Sequence, residues 1–501
     1  MSLRRAVTAG VLAVFALGSC AVSSPGPSAS AGPSNASLAP FAVPGSDLAD
    51  ALRDAIDPGA ILADLAHLGA IAGEHGGVRA AGTEGYTASA SFVADELRQA
   101  GFDVELDALD VPLFSQADPG VMEILADGAP TFAGLRDFKP MLFSASGDLT
   151  AAVYSLGFDP DAEPGDRNGL GCDSADWAEV PVGVIVLTQP GPCRRRQAVE
   201  HAQQAGALAL VTAYPDWSRD GVLRPTLIDP DGVEIPVIGA THALGVALDE
   251  AAAQGQEVRL AIHTSIEWRT SANVIASTPG GDPEHVVMLG GHLDSVIDGP
   301  GINDNGSGTM TVLEIARQLA RLTEGQPPWQ VRVAFWSGEE LGFWGSFDYA
   351  NALTSQEQAA IAVYLNFDML GSPNGVRLVY DAADASRAEA STTIEQLFEQ
   401  AFDEAGLTWD TEALGGASDH YAFDQLGIPV GGLFSGANEI KTDANAGLFG
   451  GTAGTLEDAC YHLPCDTIDN VDATLLEQMA RAAAWVVGQL ASGVVELGGA
   501  S

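Results

Sequence analysis

The chain has 501 residues, 46% of them hydrophobic and 18% charged. That supports a large core and more than one domain, and it excludes a disordered polyampholyte. Asp and Glu number 67 against 22 Lys and Arg, a formal charge of −45 that excludes nucleic acid and anionic membrane surfaces as partners.

At the N-terminus, Arg4 and Arg5 precede an apolar stretch over 6–17, and Leu17-Gly18-Ser19-Cys20 closes it. A positive start, a short apolar core and small residues before a cleavage point make 1–20 an export signal. The apolar stretch is too short to span a bilayer as a mature helix. Its last four residues resemble a bacterial lipobox with Cys20 acylated; the alternative is plain secretion with Cys20 discarded. The protein is therefore expected to be exported, as a cell-surface lipoprotein or in free form, touching membrane only through Cys20. Residues 21–45, rich in Pro, Ser, Ala and Gly, read as a flexible linker.

Residues 46–110 open an α/β segment. Leu48, Ala51, Leu52 and Ile56, then Ile61, Leu62, Leu65 and Leu68, recur at helical spacing. A second amphipathic helix is expected over 86–100, ended by Gly101, and 104–109 alternates as a strand. The texture changes over 111–267. Short β-like runs at 151–154, 183–187, 207–211 and 235–238, separated by turn residues, predict an inserted β-rich domain. From 268 to 495 the first texture resumes. Strands are expected at 286–289, 331–336, 362–365 and 430–434, and helices at 309–322, 391–405 and 473–490. Apolar strands alternating with helices predict an α/β fold with a mostly parallel central sheet flanked by helices. Sites in such sheets lie beyond the carboxyl ends of the strands.

With Cys20 set aside, Cys172, Cys193, Cys460 and Cys465 remain. An even count in an exported chain points to disulfides, and four cysteines allow three pairings. Proximity favours Cys172 with Cys193 and Cys460 with Cys465, the second closing a small loop around His462.

Five polar segments stand out in the second half: Gly290-Gly291-His292-Leu293-Asp294-Ser295, Asn303-Asp304-Asn305-Gly306, Ser337-Gly338-Glu339-Glu340, Asn366-Phe367-Asp368 and Cys460-Tyr461-His462. Three of them follow or end an apolar strand-like run. Imidazoles and carboxylates delivered to one place suit zinc. Asp294 lies two residues after His292, on the same face of an extended segment, where it can accept the second N–H of that ring. Asp304 sits on a Gly- and Asn-rich turn before a helix, as a metal-bridging carboxylate or a helix cap. Adjacent Glu339 and Glu340 can divide the work of base and ligand, or form a solvated acidic turn. Asp368 ends a buried run and needs a partner. Tyr461 can polarise a carbonyl or serve as a buried structural phenol.

Two resemblances bind these segments together. Residues 182–214 resemble a protease-associated domain: a strand, Gly191-Pro192-Cys193, a helix over 197–204, then Ala205-Gly206-Ala207 before a second strand. The polar segments resemble the secreted bimetallic zinc aminopeptidases of the Streptomyces type, in the metallopeptidase family that includes glutamate carboxypeptidase. The sequences His67-Leu68-Gly69-Ala70-Ile71-Ala72, Gly82-Thr83-Glu84-Gly85-Tyr86, Ser418-Asp419-His420, Ile440-Lys441-Thr442 and Gly451-Thr452-Ala453-Gly454 share it. The resemblance implies a zinc-peptidase, phosphorylase/hydrolase-like fold, two Zn2+ per chain and peptide substrates cleaved at a free N-terminus. It implies that His292 and Asp368 hold one zinc, Glu340 and His462 the other, and that Asp304 bridges them. Glu339 would then be the general base, Tyr461 the carbonyl-polarising group and Asp294 the orienting partner of His292. A Cys460–Cys465 disulfide is implied as well. One departure is Ala417, where some of these enzymes carry Arg, which bears on recognition of the substrate termini and not on the metal centre. Three other readings compete: a carboxypeptidase or dipeptidase on the same scaffold, a single-zinc glutaminyl cyclase, and a non-catalytic surface receptor with a peptidase fold. The full ligand set opposes the receptor, which has no use for a base beside a ligand.

Overall fold

The computed structural model describes residues 47–163, 166–215, 221–495 and 497. The export signal with Cys20 and the linker over 21–45 lie outside the described residues.

The main sheet has eight strands. Across it run Asp103–Gln116, Thr264–Ser277, Trp329–Trp336, Asp282–His292, Ile361–Asp368, Val430–Phe434, Leu378–Asp381 and Asp410–Ala413. The four central strands, from Trp329–Trp336 to Val430–Phe434, are parallel. Toward the edges the pairings become mixed, antiparallel on one side and both kinds on the other. The expected parallel sheet is thus its centre. The strands expected at 286–289, 331–336, 362–365 and 430–434 all fall inside observed ones.

Central position explains the composition of these strands. Val287, Leu289, Val333, Phe335, Leu365 and Phe367 pack on one face against the helices Pro58–Glu74, Glu84–Gln99, Gly308–Thr323, Ala388–Glu404 and Ala473–Ala491. Their neighbours Val286, Met288, Ala334, Trp336 and Tyr364 pack on the other face with Ala350 and Phe423. Side chains alternate between faces, so a strand covered on both sides reads as one apolar run. The first helical stretch divides in two at Asp57-Pro58. Asp57 accepts the N–H groups of Gly59 and Ala60, and Pro58 starts the helix Pro58–Glu74.

The strands Asp103–Gln116 and Thr264–Ser277 pair antiparallel along their whole length and leave the main sheet as a ribbon. At its tip lies a second sheet of seven strands: Val121–Ile124, Glu257–Ile262, Gly147–Ser155, Ile185–Thr188, Ala209–Tyr214, Val237–Thr241 and Phe138–Pro140. The expected helix over 197–204 is Arg195–Ala205. A further helix, His242–Ala253, was not read from the sequence, because its many alanines leave a weak apolar stripe. Both favoured disulfides, Cys172–Cys193 and Cys460–Cys465, are present.

Buried charge fastens the inserted segment to the loop that follows the strand Asp282–His292. Arg224 of the insert donates to both oxygens of Asp298, at 3.0 and 3.3 Å, to Pro140 O at 2.7 Å and to Gln116 Oε1 at 2.9 Å. Lys139 Nζ lies 3.3 Å from Asp298 Oδ2. Burial works against the Asp298 charge, but Arg224 and Lys139 outweigh it and hold this carboxyl below its ordinary range. Removing one partner of such a cluster leaves charge uncompensated, so Asp298→Ala should cost about 3–5 kcal/mol in denaturant unfolding at pH 7. A carboxyl with a depressed folded pKa stabilises above its unfolded pKa and ceases to do so as pH falls through the folded one. The difference between wild type and variant should therefore shrink as pH drops below about 4. A difference independent of pH would contradict this account.

Candidate metal centre

The polar segments come together where the parallel strands end. His292 is the last residue of its strand, Asp368 the last of another, and Glu339 and Glu340 follow Trp329–Trp336. Asp304 lies in the segment Ile302–Ser307, directly before the helix Gly308–Thr323. His462 sits inside the Cys460–Cys465 loop with φ of 59°. Gly291 is required next to His292, since a Cβ there would meet Phe367 O at 2.5 Å. Asn305 ties the Asp304 segment to the Asp368 strand: its Nδ2 donates to Phe367 O at 2.8 Å and its Oδ1 accepts Met369 N–H at 3.0 Å.

Asp304 stands between the two imidazoles. Its Oδ1 is 3.3 Å from His292 Nε2 and its Oδ2 is 2.9 Å from His462 Nε2. Asp368 Oδ1 is 3.4 Å from His292 Nε2, and Glu340 Oε2 is 3.1 Å from His462 Nε2. Ligand atoms of His292, Asp304 and Glu340 fall within 4.8 Å of one another. Buried Asp304 Oδ2, Glu340 Oε1 and Asp368 Oδ1 have no hydrogen-bond partner. The close approach of Asp304 Oδ2 to His462 is thus not aligned as a hydrogen bond. Lone pairs that converge without bonding one another suit a cation between them. The donor set of two imidazoles and three carboxylates fits a borderline metal such as zinc.

Electrostatics point the same way. Burial pushes Glu339 well above the ordinary carboxylate range, and Glu340 and Asp368 add to it against His292. Burial raises Glu340 to about 7 against the pull of His462. Burial likewise raises Asp419 to about 7. Asp304 moves the opposite way, held low because His292 and His462 outweigh its burial. Burial opposes the charge of His462, yet Glu340 and Asp304 carry it up to about 10. So many carboxylates in a largely buried place need bound protons or positive charge beyond two imidazoles.

All eight residues expected at the site are brought together here, with one change of role. Asp294 orients His292 through its backbone: His292 Nδ1 faces Asp294 O at 3.0 Å, while the Asp294 carboxylate is 3.8 Å away. That carboxylate accepts the Glu339 N–H at 3.2 Å instead. Nδ1–H then donates to a carbonyl and leaves the Nε2 lone pair facing Asp304 and Asp368. The Tyr461 ring stacks on His462 with centroids 3.8 Å apart, and burial keeps its phenol protonated far above pH 10.

Further residues hold the site and carried no signal in the sequence as ligands. Ser418 donates to Asp368 Oδ2 at 2.7 Å, and was known only as part of Ser418-Asp419-His420. Arg79, fully buried, donates to Pro300 O at 2.9 Å, Gly301 O at 2.5 Å and Leu293 O, bracing the loop between His292 and Asp304. Burial lowers this guanidinium to about 10, with Asp294 and Asp466 opposing the fall. A cavity opens over the polar groups, walled by Met369, Tyr380, Leu414 and Phe434, with Glu412 and Glu439 also lining it.

Comparison with known proteins finds similarity along most of the chain. Residues 273–487 match peptidase family M28, and residues 147–248 match the PA domain. An aminopeptidase of Pseudomonas aeruginosa (strain UCBPP-PA14) is 36% identical over 426 residues, 84% of this chain and 78% of its own. A probable lipoprotein aminopeptidase, LpqL, of Mycobacterium tuberculosis is 37% identical over 470 residues, 90% of this chain and 88% of its own. Among solved structures, an aminopeptidase from Aneurinibacillus sp. strain AM-1 superposes with a TM-score of 0.67 at 22% identity, over 88% of this chain and 95% of its own. A zinc aminopeptidase from Bacillus subtilis does so with 0.63 at 25% identity, over 86% and 95%.

A cation that binds only the folded chain should stabilise it, by about 2.7 kcal/mol at a hundredfold excess over Kd. Thermal unfolding should shift upward with a divalent transition metal and downward after chelation, and Asp304→Asn should blunt the response. An unfolding midpoint indifferent to both additions would show that these side chains hold no ion.

Proposed function

The chain belongs to peptidase family M28 and carries a PA domain, and we propose that it is an exported two-zinc aminopeptidase that removes N-terminal residues from peptides. The observation that carries this reading is Asp304, with one oxygen toward His292 and the other toward His462. His292 and Asp368 would hold one zinc, Glu340 and His462 the other, and Asp304 would bridge them. When bound, zinc supplies Lewis acidity, lowering the pKa of a water and polarising the scissile carbonyl.

The remaining steps belong to the protein. Glu339 is the general base: it takes the proton of the attacking water and passes it to the leaving amine. Its carboxyl is pushed upward by burial, with Glu340 and Asp368 adding to the shift. Tyr461, a protonated phenol, donates to the oxygen that gains charge as the carbonyl is attacked. Asp294 positions both His292 and the backbone of Glu339. Carboxylates on the cavity wall, Glu412 and Glu439, favour the ammonium end of a peptide over its carboxylate end, which supports an aminopeptidase over a carboxypeptidase.

Export rests on the N-terminal signal, on two disulfides that belong in an oxidising compartment, and on the lipoprotein name of the mycobacterial relative. Acylation of Cys20 would tether the enzyme through the linker over 21–45, which extends the domain plan of an insert at 111–267 within a peptidase domain at 46–110 and 268–495.

Glu339→Ala should bind zinc as the wild type does and lose about 10²–10⁴-fold in kcat on an aminoacyl anilide. Tyr461→Phe should lose about 10²–10³-fold. N-acetylation of a peptide substrate should abolish cleavage. Turnover of acetylated peptides at the wild-type rate would move the assignment to another exopeptidase class.

A further inference from the structure

Asp466 is 1% exposed and directly follows the disulfide loop that carries His462. Its two oxygens take up two successive backbone N–H groups of the Asp304 segment: Oδ1 accepts from Asn303 at 2.8 Å and Oδ2 from Asp304 at 3.1 Å. Asn470 Nδ2 donates to Oδ1 at 3.1 Å, and the same amide reaches both oxygens of Asp458 at 3.0 Å. Asp458 in turn accepts Asn303 Nδ2 at 2.7 Å and the Cys460 N–H at 2.8 Å. The backbone adds one more tie, from Ile302 N–H to Asp466 O at 3.3 Å. The loop that delivers His462 is therefore stitched to the segment that delivers Asp304, with Asp466 on the two N–H groups at the junction. These bonds involve no side-chain oxygen of Asp304 and no atom of His462.

From this we infer that Asp466 is a positioning residue: it sets the spacing between Asp304 and His462, and so the affinity of the ion shared by Asp304, Glu340 and His462. The inference rests on the two-zinc reading. Among the described residues the other half of the centre has separate supports. Asp294 O holds His292, and Ser418 holds Asp368. Asp304 would serve both ions, so loss of Asp466 should weaken the ion held by Glu340 and His462 more than the one held by His292 and Asp368. A carboxylate suits this place because it offers only acceptors to two converging donors. An amide of the same shape must turn an N–H toward one of them, which costs a bond and adds a repulsion.

The test uses the full mature chain with Asp466→Asn, which keeps volume, and Asp466→Ala, which removes both acceptors. Three quantities are measured: zinc stoichiometry and stepwise affinity by chelator competition, kcat and KM on an aminoacyl anilide, and recovery of kcat with added zinc. Circular dichroism identifies which variant is folded. The expected result is one zinc weakened about 10–100-fold and the other weakened markedly less. The value of kcat should fall in proportion to the lost ion, with KM near wild type, and excess zinc should restore it. A purely structural lesion would not be reversed by zinc. Two zincs of wild-type affinity in a folded variant would overturn the inference, as would equal weakening of both. Wild-type protein that binds fewer than two zincs would instead overturn the two-zinc reading on which the inference stands.

Discussion

A buried surplus of carboxylates around two imidazoles is the constraint on which this structure depends. Asp294, Asp304, Glu340 and Asp419 are all buried, and Glu339 and Asp368 border them. In a medium that solvates charge poorly, such a set is tolerable only if cations share it or protons fill it. The rise of Glu339, Glu340 and Asp419 is what the protein shows when protons must fill it. Charge and fold are linked here, because side chains that repel one another must be held by everything around them. The parallel centre of the sheet meets that need by delivering three of the segments from neighbouring strand ends, with rigid spacing fixed by the ladder.

What surrounds the ligands works mostly through the backbone. The Arg79 guanidinium binds three carbonyl oxygens, Asp466 binds two N–H groups, and Asp294 uses its carbonyl for His292 and its carboxylate for Glu339. A loop held by its own peptide groups cannot swing a ligand away by rotating one side chain. This preorganisation matters because a catalytic centre displaced by about 1 Å loses much of its rate.

The same fact explains what could be read from the chain. Strand runs such as 331–336 were legible because both faces are buried, and the polar residues that end them stood out against that background. His462 and Tyr461 were legible through the two cysteines that bracket them. The roles of Arg79 and Asp466 were not, since their partners are peptide groups about 220 and 160 residues away and peptide groups carry no sequence. The Asp294 carboxylate was misjudged for a related reason. Period-two alternation puts it on the His292 face, but the ring meets the Asp294 carbonyl and the carboxylate takes the Glu339 N–H. In the insert, the helix His242–Ala253 was not legible because its alanines leave only a weak apolar stripe.

The insert is more than an appendage on a ribbon. Asp298, gripped by Arg224 and Lys139 of the insert, lies in the stretch between His292 and Asp304. Arg79 holds the same stretch at Leu293, Pro300 and Gly301. Thr226 of the insert also donates to Leu341 O, directly after Glu340, at 3.1 Å, and Trp344 donates to Ile228 O at 3.1 Å. Two of the loops that carry the reactive groups are thus braced by the inserted domain. If the insert served only to contact distant parts of a substrate, its attachment would need no buried ion cluster at this place. A cluster that costs desolvation and stands a few residues from the ligands makes sense when the insert and the centre must keep one fixed relation.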